Sequence, residues 1–159
     1  MKQGKGSLVE LAQALENEQN LKQDFVADTR KTTFSINEHG PKLDVDNIGS
    51  FDVTTHAARQ VCSRLKVPAK MYDLLADGTA REKAALAEVV NARLHEHPER
   101  RMVRAFASHE PARGQVRAYL SAKYRRMDSL DLLVNILPVL TERRDMRVAS
   151  CEVTERRMF

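Results

Sequence analysis

The sequence has no tryptophan, and aromatic residues make up only 5% of its 159 residues. We therefore expect a core built mostly from leucine, valine, alanine and methionine. No apolar run approaches the roughly 18 residues that a membrane-spanning helix needs, and the basic N-terminal residues lack the apolar segment of a secretory signal. An apolar content of 42% with 30% charged residues is ordinary for a globular protein. The sequence therefore predicts a single domain over residues 1–159.

Groups that carry chemistry are also scarce. The two cysteines, Cys62 and Cys151, lie far apart in apolar surroundings, which favours buried reduced thiols over a disulfide. His95 and His97 stand two residues apart at the end of a predicted helix, where their side chains point to different sides, and this is poor geometry for binding a metal. The chain contains no glycine-rich phosphate loop, nucleophile elbow or paired-cysteine motif. We therefore predict no cofactor, no metal and no enzymatic activity.

Positive charge is concentrated late in the chain. Residues 1–99 carry 13 Lys and Arg against 15 Asp and Glu, whereas residues 100–159 carry 13 Lys and Arg against 7 Asp and Glu, a net charge of +6. Twelve of those 13 late cations are arginine, whose planar donor fork suits phosphate and stacks on bases. This asymmetry favours a surface that binds polyanions. The alternative is a solvated basic face on an ordinary domain.

Hydrophobic spacing and capping signals predict an α+β fold with an antiparallel sheet and several helices packed against one face. Ser7 with Glu10 and Thr79 with Glu82 have the spacing of capping boxes, and each precedes a helical pattern. Pro138 is expected to kink or shorten the last predicted helix. The first predicted helix covers about 8–18, and the others begin near Thr54, Pro68, Thr79 and Asp128. Predicted strands cover 24–30, 32–36, 43–45, 50–53, 101–108, 115–121 and 146–153.

The two strands at 101–108 and 115–121, which we expect to pair as a hairpin, contain or flank the candidate binding residues. Side chains in the second strand alternate between two faces. We therefore predict an apolar face with Val116, Ala118 and Leu120, and a polar face with Arg117, Tyr119 and Ser121. Cations interleaved with aromatic rings are typical of single-strand binders, because the charge holds phosphates and the rings stack on bases. The predicted nucleic-acid-binding residues are Arg101, Arg104, Arg113, Arg117, Tyr119, Lys123, Arg125 and Arg126.

Plainer interpretations of these residues stay open. Tyr119 and Tyr124 also suit core positions in which the ring is buried and the hydroxyl finds a partner. The arginines at the ends of strands and helices, including Arg143, Arg144 and Arg147, also suit simple solvation.

The segment 54–77 has the outline of a helix-turn-helix, with a short turn at residues 66–68. Its second helix, residues 69–77, carries one cation and two acids, whereas a helix that enters the major groove usually has more hydrogen-bond donors. We therefore interpret the segment mainly as a packing motif, with double-strand DNA binding as a less favoured alternative.

Several short motifs follow one another along the chain: FDVTTHA at 51–57, Arg59 with Gln60, VPAKMY at 67–72, Asn91 with Leu94, RMVR at 101–104, VRAYLS at 116–121 and YRRMD at 124–128. Taken in this order, they resemble the phage/plasmid-related domain-of-unknown-function family 932. The resemblance covers roughly residues 22–140 and is specific in combination, although each motif alone is weak. Typical family members are longer, so we expect the chain to correspond either to the N-terminal portion of such a protein or to a short relative.

The resemblance implies a mobile-element protein of the bacterial cytoplasm but implies no particular activity. A loose similarity in fold to Rad52-type single-strand annealing proteins favours single-stranded DNA as the partner. The leading hypothesis is thus a non-catalytic nucleic-acid-binding protein that acts in recombination. The rival is a phage accessory protein that binds an acidic host protein through the same arginines. The sequence also leaves self-association open and indicates no contact with a membrane.

Overall fold

The structure is a computed structural model that describes residues 8–107, 114–124 and 128–142. Within these ranges five helices accompany a six-stranded sheet, so the predicted α+β class is confirmed. The helices are α1 (Leu8–Leu21), α2 (Thr55–Arg64), α3 (Ala69–Ala76), α4 (Ala80–Glu96) and α5 (Ser129–Glu142). The strands are β1 (Lys22–Asp28), β2 (Thr32–Asn37), β3 (Gly40–Val45), β4 (Gly49–Val53), β5 (Arg100–Phe106) and β6 (Gly114–Ser121), and a short 3-10 turn at Thr29–Lys31 joins β1 to β2. The predicted strand 146–153 lies outside the described residues.

The chain divides into two compact units. The larger is formed by residues 22–124, and the smaller combines the residues up to Leu21 with those from Arg125 onward. In the smaller unit, α1 buries Leu11 and Leu15 against Leu130 and Leu133 of α5. The helix α5 runs through Pro138 to Glu142, so the proline does not shorten it as expected. None of the described helices is long and apolar enough to cross a membrane.

The sheet of the larger unit has the strand order β1-β5-β6-β4-β3-β2. Its pairs are antiparallel, as predicted, except that β4 and β6 run parallel. Parallel neighbours need a crossover connection, and here α2, α3, α4 and β5 lie between β4 and β6 in the chain. The expected antiparallel hairpin of β5 and β6 is confirmed.

The core lies between the sheet and the helices α2 and α4. Leu86, Val90 and Leu94 recur every four residues along α4 and are fully buried, as an amphipathic helix requires. Cys62 is buried on α2, and this burial raises the pKa of its thiol to about 11. The prediction of a buried thiol is therefore confirmed for Cys62, whereas Cys151 lies outside the described residues.

Side-chain caps form at the start of both central helices, α2 and α4. The Thr54 hydroxyl accepts a hydrogen bond from the Ala57 N–H at the start of α2. At the start of α4 the Thr79 hydroxyl accepts from the Glu82 N–H, while the Glu82 carboxylate accepts from the Thr79 N–H at 2.7 Å. These bonds from Thr79 hold the pKa of Glu82 below its ordinary value. The capping box predicted at Thr79 and Glu82 is thus confirmed, whereas Ser7 of the other predicted box lies outside the described residues.

Amide side chains from the helices satisfy unpaired backbone groups of the sheet. The strand β2 lies at an edge, and the Asn91 amide of α4 bonds both backbone groups of Phe34. Its Oδ1 accepts from the Phe34 N–H at 2.7 Å, and its Nδ2 donates to the Phe34 carbonyl at 2.9 Å. Similarly, the Gln60 Oε1 of α2 accepts from the Tyr119 N–H at 2.9 Å. An exposed strand edge invites association with other chains, and Asn91 covers part of this one.

Candidate nucleic-acid interface

A β-bulge at Arg117 changes the faces of β6. Ala118 pairs with Arg104 and Val116 pairs with Ala105, so Arg117 is an extra residue that has no partner position on β5. An extra residue resets the alternation of side chains beyond it. Val116 and Tyr119 consequently both face the core and are buried. The predicted division of β6 into a face with Val116, Ala118 and Leu120 and a face with Arg117, Tyr119 and Ser121 is therefore wrong.

Tyr119 is a core residue. Its side chain is only 1% exposed and lies in the main hydrophobic cluster, opposite Val103 of β5. Burial, with a smaller opposing effect of Arg101, raises the pKa of Tyr119 to about 12. Its buried hydroxyl has no hydrogen-bond partner among the described residues. A base has no access to this ring, so the predicted stacking surface of Arg117 and Tyr119 does not exist in the folded protein.

The two predicted arginines of β5 have carboxylate partners and lie on opposite faces of the strand. Arg101 forms an ion pair with Glu99. Arg104 holds Asp24 of β1 with two hydrogen bonds of 2.9 and 3.0 Å, and the Asp24 side chain is only 3% exposed. A paired, half-buried guanidinium stabilises the β1–β5 contact more readily than it binds phosphate. Neither residue therefore adds to an open cationic surface.

Arg117 and Lys123 have different surroundings. The Arg117 guanidinium carbon lies 4.3 Å from the centroid of the Phe106 ring, in the geometry of a cation–π contact. Lys123 is exposed in the turn after β6, where its backbone N–H donates to the Ser121 hydroxyl. The other three predicted residues, Arg113, Arg125 and Arg126, lie outside the described residues, as do Arg143, Arg144 and Arg147.

Tyr124 provides the exposed ring that Tyr119 does not. It follows Lys123 directly, its side chain is 44% exposed, and its N–H donates to the Ser121 carbonyl at 2.9 Å, which closes the turn. In the sequence two arginines come next, at 125 and 126. A cation, an accessible aromatic ring and two further cations are therefore contiguous in the chain. The pattern around Tyr124 was visible in the sequence, but the choice between a buried and an exposed ring required the structure.

The segment α2–turn–α3 packs largely as expected. Tyr72 of α3 is buried in the core, and Met71 and Leu75 are packed against it. Asp73 of α3 accepts a 2.8 Å hydrogen bond from Arg59 of α2, which ties the two helices together. Lys70 is the exposed cation that α3 offers. This surface contains few donors for reading the edges of bases.

A cleft of about 440 Å³ lies between the β2–β3 turn and the helices α2 and α3. Cations and acids both line it, among them Arg59, Lys83, Asp73 and Asp77. Such a mixed lining does not favour a polyanion. Within the described ranges no three His, Cys, Asp or Glu side chains come together as a metal site would need.

Comparisons with known proteins give no further identification: no family model, no curated protein and no solved structure matches this chain. The resemblance to family 932 therefore stays a prediction from the residues alone.

Proposed function

We propose that the protein is a non-catalytic nucleic-acid-binding protein of phage or plasmid origin that holds single-stranded DNA during recombination in the bacterial cytoplasm. The observation that carries the proposal is the exposed Lys123–Tyr124 turn, followed in the sequence by Arg125 and Arg126. Phosphate contacts from lysine and arginine would hold the strand, and the Tyr124 ring would stack on a base. This is the chemistry of sequence-tolerant single-strand binders.

The charge of the late segment supports the same function. Residues 100–159 have an excess of six positive charges, and the pairing of Arg101 with Glu99 and of Arg104 with Asp24, two acids from outside this segment, still leaves an excess of four. Long-range attraction depends on this excess and accelerates the encounter with a polyanion. Affinity should therefore fall steeply with salt, as counterions are released when phosphates are neutralised.

Replacing Tyr124 with alanine is expected to weaken binding to a fluorescein-labelled poly-dT oligonucleotide by about 5- to 150-fold, because stacking on an aromatic ring contributes roughly 1–3 kcal/mol per base. Tyr124→Phe keeps the ring and should bind as the unchanged protein does. Fluorescence anisotropy titrations at several salt concentrations give both the affinity and its salt slope.

Tyr119→Phe is the matched control, since it removes the hydroxyl of a buried tyrosine and leaves the exposed ring in place. It should leave affinity unchanged. Equal affinity of the Tyr124→Ala variant and the unchanged protein would show that no base stacks on this ring. Binding that is absent even at low salt would reject the function itself, and an acidic host protein retained from a nuclease-treated lysate would then favour the rival.

A further inference from the structure

Three exposed cations surround the turn between α2 and α3. We call Arg64, Lys66 and Lys70 the basic turn. Residues 63–70 contain no acid, and among the described residues none of the three cations has a carboxylate partner. By contrast, Arg59, one helical turn before this segment, is engaged by Asp73. The positive charge of the basic turn is therefore not neutralised locally.

Lys66 adopts a backbone conformation that favours glycine. Its φ is +59°, in the left-handed region, where a β-carbon is crowded by the backbone. The Lys66 N–H donates to the Ser63 carbonyl, and the Val67 N–H donates to the Cys62 carbonyl at 2.8 Å. This pair of bonds is the Schellman motif that ends many helices, and the residue at the position of Lys66 is usually glycine. Val67 is buried and anchors the turn in the core. The lysine is thus held rigidly at a position where glycine would be more stable.

Lys70 also stands where its charge is locally unfavourable. It is the second residue of α3, and the first turn of that helix contains no acid. The amino-terminal end of a helix carries a partial positive charge, so a cation there is repelled. Arg64, in the last turn of α2, is the one member of the group whose position the helix dipole favours. The positions of Lys66 and Lys70 are therefore not explained by local stability. Residues that break local conformational preferences often serve binding.

We propose that the basic turn binds the phosphate backbone of nucleic acid, as a second contact besides the Lys123–Tyr124 turn. The inference rests on the proposed function and names a surface for it. Phosphate is the ligand because the group offers three cations on a rigid turn and no aromatic ring, and because α3 exposes few donors to bases. The contact is consequently independent of base sequence.

Lys66→Gly separates this role from a structural one. The substitution relieves the left-handed strain, so the melting temperature should rise by about 2–4 °C, the shift that roughly 1 kcal/mol gives in a chain of this size. The same variant should bind a labelled oligonucleotide more weakly, and the slope of log affinity against log salt should shrink by about 0.7 for single strands, the value for one lost phosphate contact. A lysine with no binding role would give the rise in melting temperature without the change in slope.

A triple variant and a charge-matched control complete the test. Arg64→Gln, Lys66→Gly and Lys70→Gln together should reduce the magnitude of the slope by about 2 on poly-dT. The control carries Lys31→Gln, Arg81→Gln and Arg93→Gln, three exposed cations that lie outside both the basic turn and residues 100–159, and loses the same net charge. Its slope should remain near that of the unchanged protein.

The outcomes distinguish the two proposals. If the triple variant keeps the slope of the unchanged protein while Tyr124→Ala loses affinity, the basic turn does not bind phosphate. The proposed function then still stands. Equal losses in the triple variant and its control assign the effect to net charge and also overturn the basic turn. Absence of binding by the unchanged protein rejects both the proposed function and the proposed role of the basic turn.

Discussion

Replacing Asn91 with leucine is expected to lower the free energy of unfolding by about 2–4 kcal/mol. The leucine keeps the branched shape of the side chain but leaves the N–H and the carbonyl of Phe34 without the partners that Asn91 provides at 2.7 and 2.9 Å. Phe34 is only 1% exposed, so water cannot easily replace the lost bonds. A buried backbone group that loses its partner costs about 1–3 kcal/mol, and two groups are affected here. Urea denaturation followed by far-UV circular dichroism measures the change.

The chain offers a matched control in Asn135→Leu. Asn135 lies exposed on α5 and donates to the Asp131 carbonyl of its own helix. Its loss should change stability by no more than about 0.5 kcal/mol. If the two leucine variants unfold at the same urea concentration, the Asn91 amide does not hold the edge of the sheet. An Asn91 variant that also self-associates would show that the covered edge had prevented strand pairing between molecules.

Replacing Gly114 with alanine is expected to destabilise the larger unit by about 1–3 kcal/mol through overpacking. A β-carbon at Gly114 would lie 2.7 Å from Cδ1 and 2.9 Å from Cε1 of Phe51. The Phe51 ring is buried and lies against Phe25, with the ring centroids 5.3 Å apart. It therefore has little room to move away. Thermal unfolding and urea denaturation should both show the loss.

A double-mutant cycle identifies the cause. Phe51→Leu alone removes ring contacts and is itself destabilising. If the alanine at 114 acts by pressing on the ring, Gly114→Ala should cost clearly less in the Phe51→Leu background, since the ring that it strikes is absent. Strictly additive losses would place the effect in the backbone of β6 instead.

Much of the fold was predictable because its signals are local. Thr79 and Glu82 specify the start of α4 through a four-residue pattern, and the burial of Leu86, Val90 and Leu94 follows from helical spacing alone. The α+β class and the β5–β6 hairpin also come from patterns within short segments. The parallel pairing of β4 with β6 was not predictable in this way, because it depends on elements more than 50 residues apart in the chain.

The candidate site was harder to predict for the same reason. An extra residue at Arg117 leaves no mark in the alternation of β6, yet it moves Tyr119 into the core. The carboxylate that pairs with Arg104 comes from Asp24, 80 residues earlier. Hydrophobic pattern and local charge therefore indicated which residue types would matter, whereas register and distant partners decided which of them are accessible. Tyr124 is accessible, and it stands in place of Tyr119 in the proposed interface.

Because the thiol of Cys62 is buried, its reaction with alkylating reagents reports on the opening of the larger unit. Alkylating reagents attack the thiolate, and a group with a pKa of about 11 that is shielded from solvent is doubly protected from them. Modification of Cys62 therefore requires α2 to separate from the sheet, at least transiently. In a Cys151→Ser chain, the rate of labelling would record how often that separation occurs, and a strand of DNA that clamps the α2–α3 region would slow the labelling.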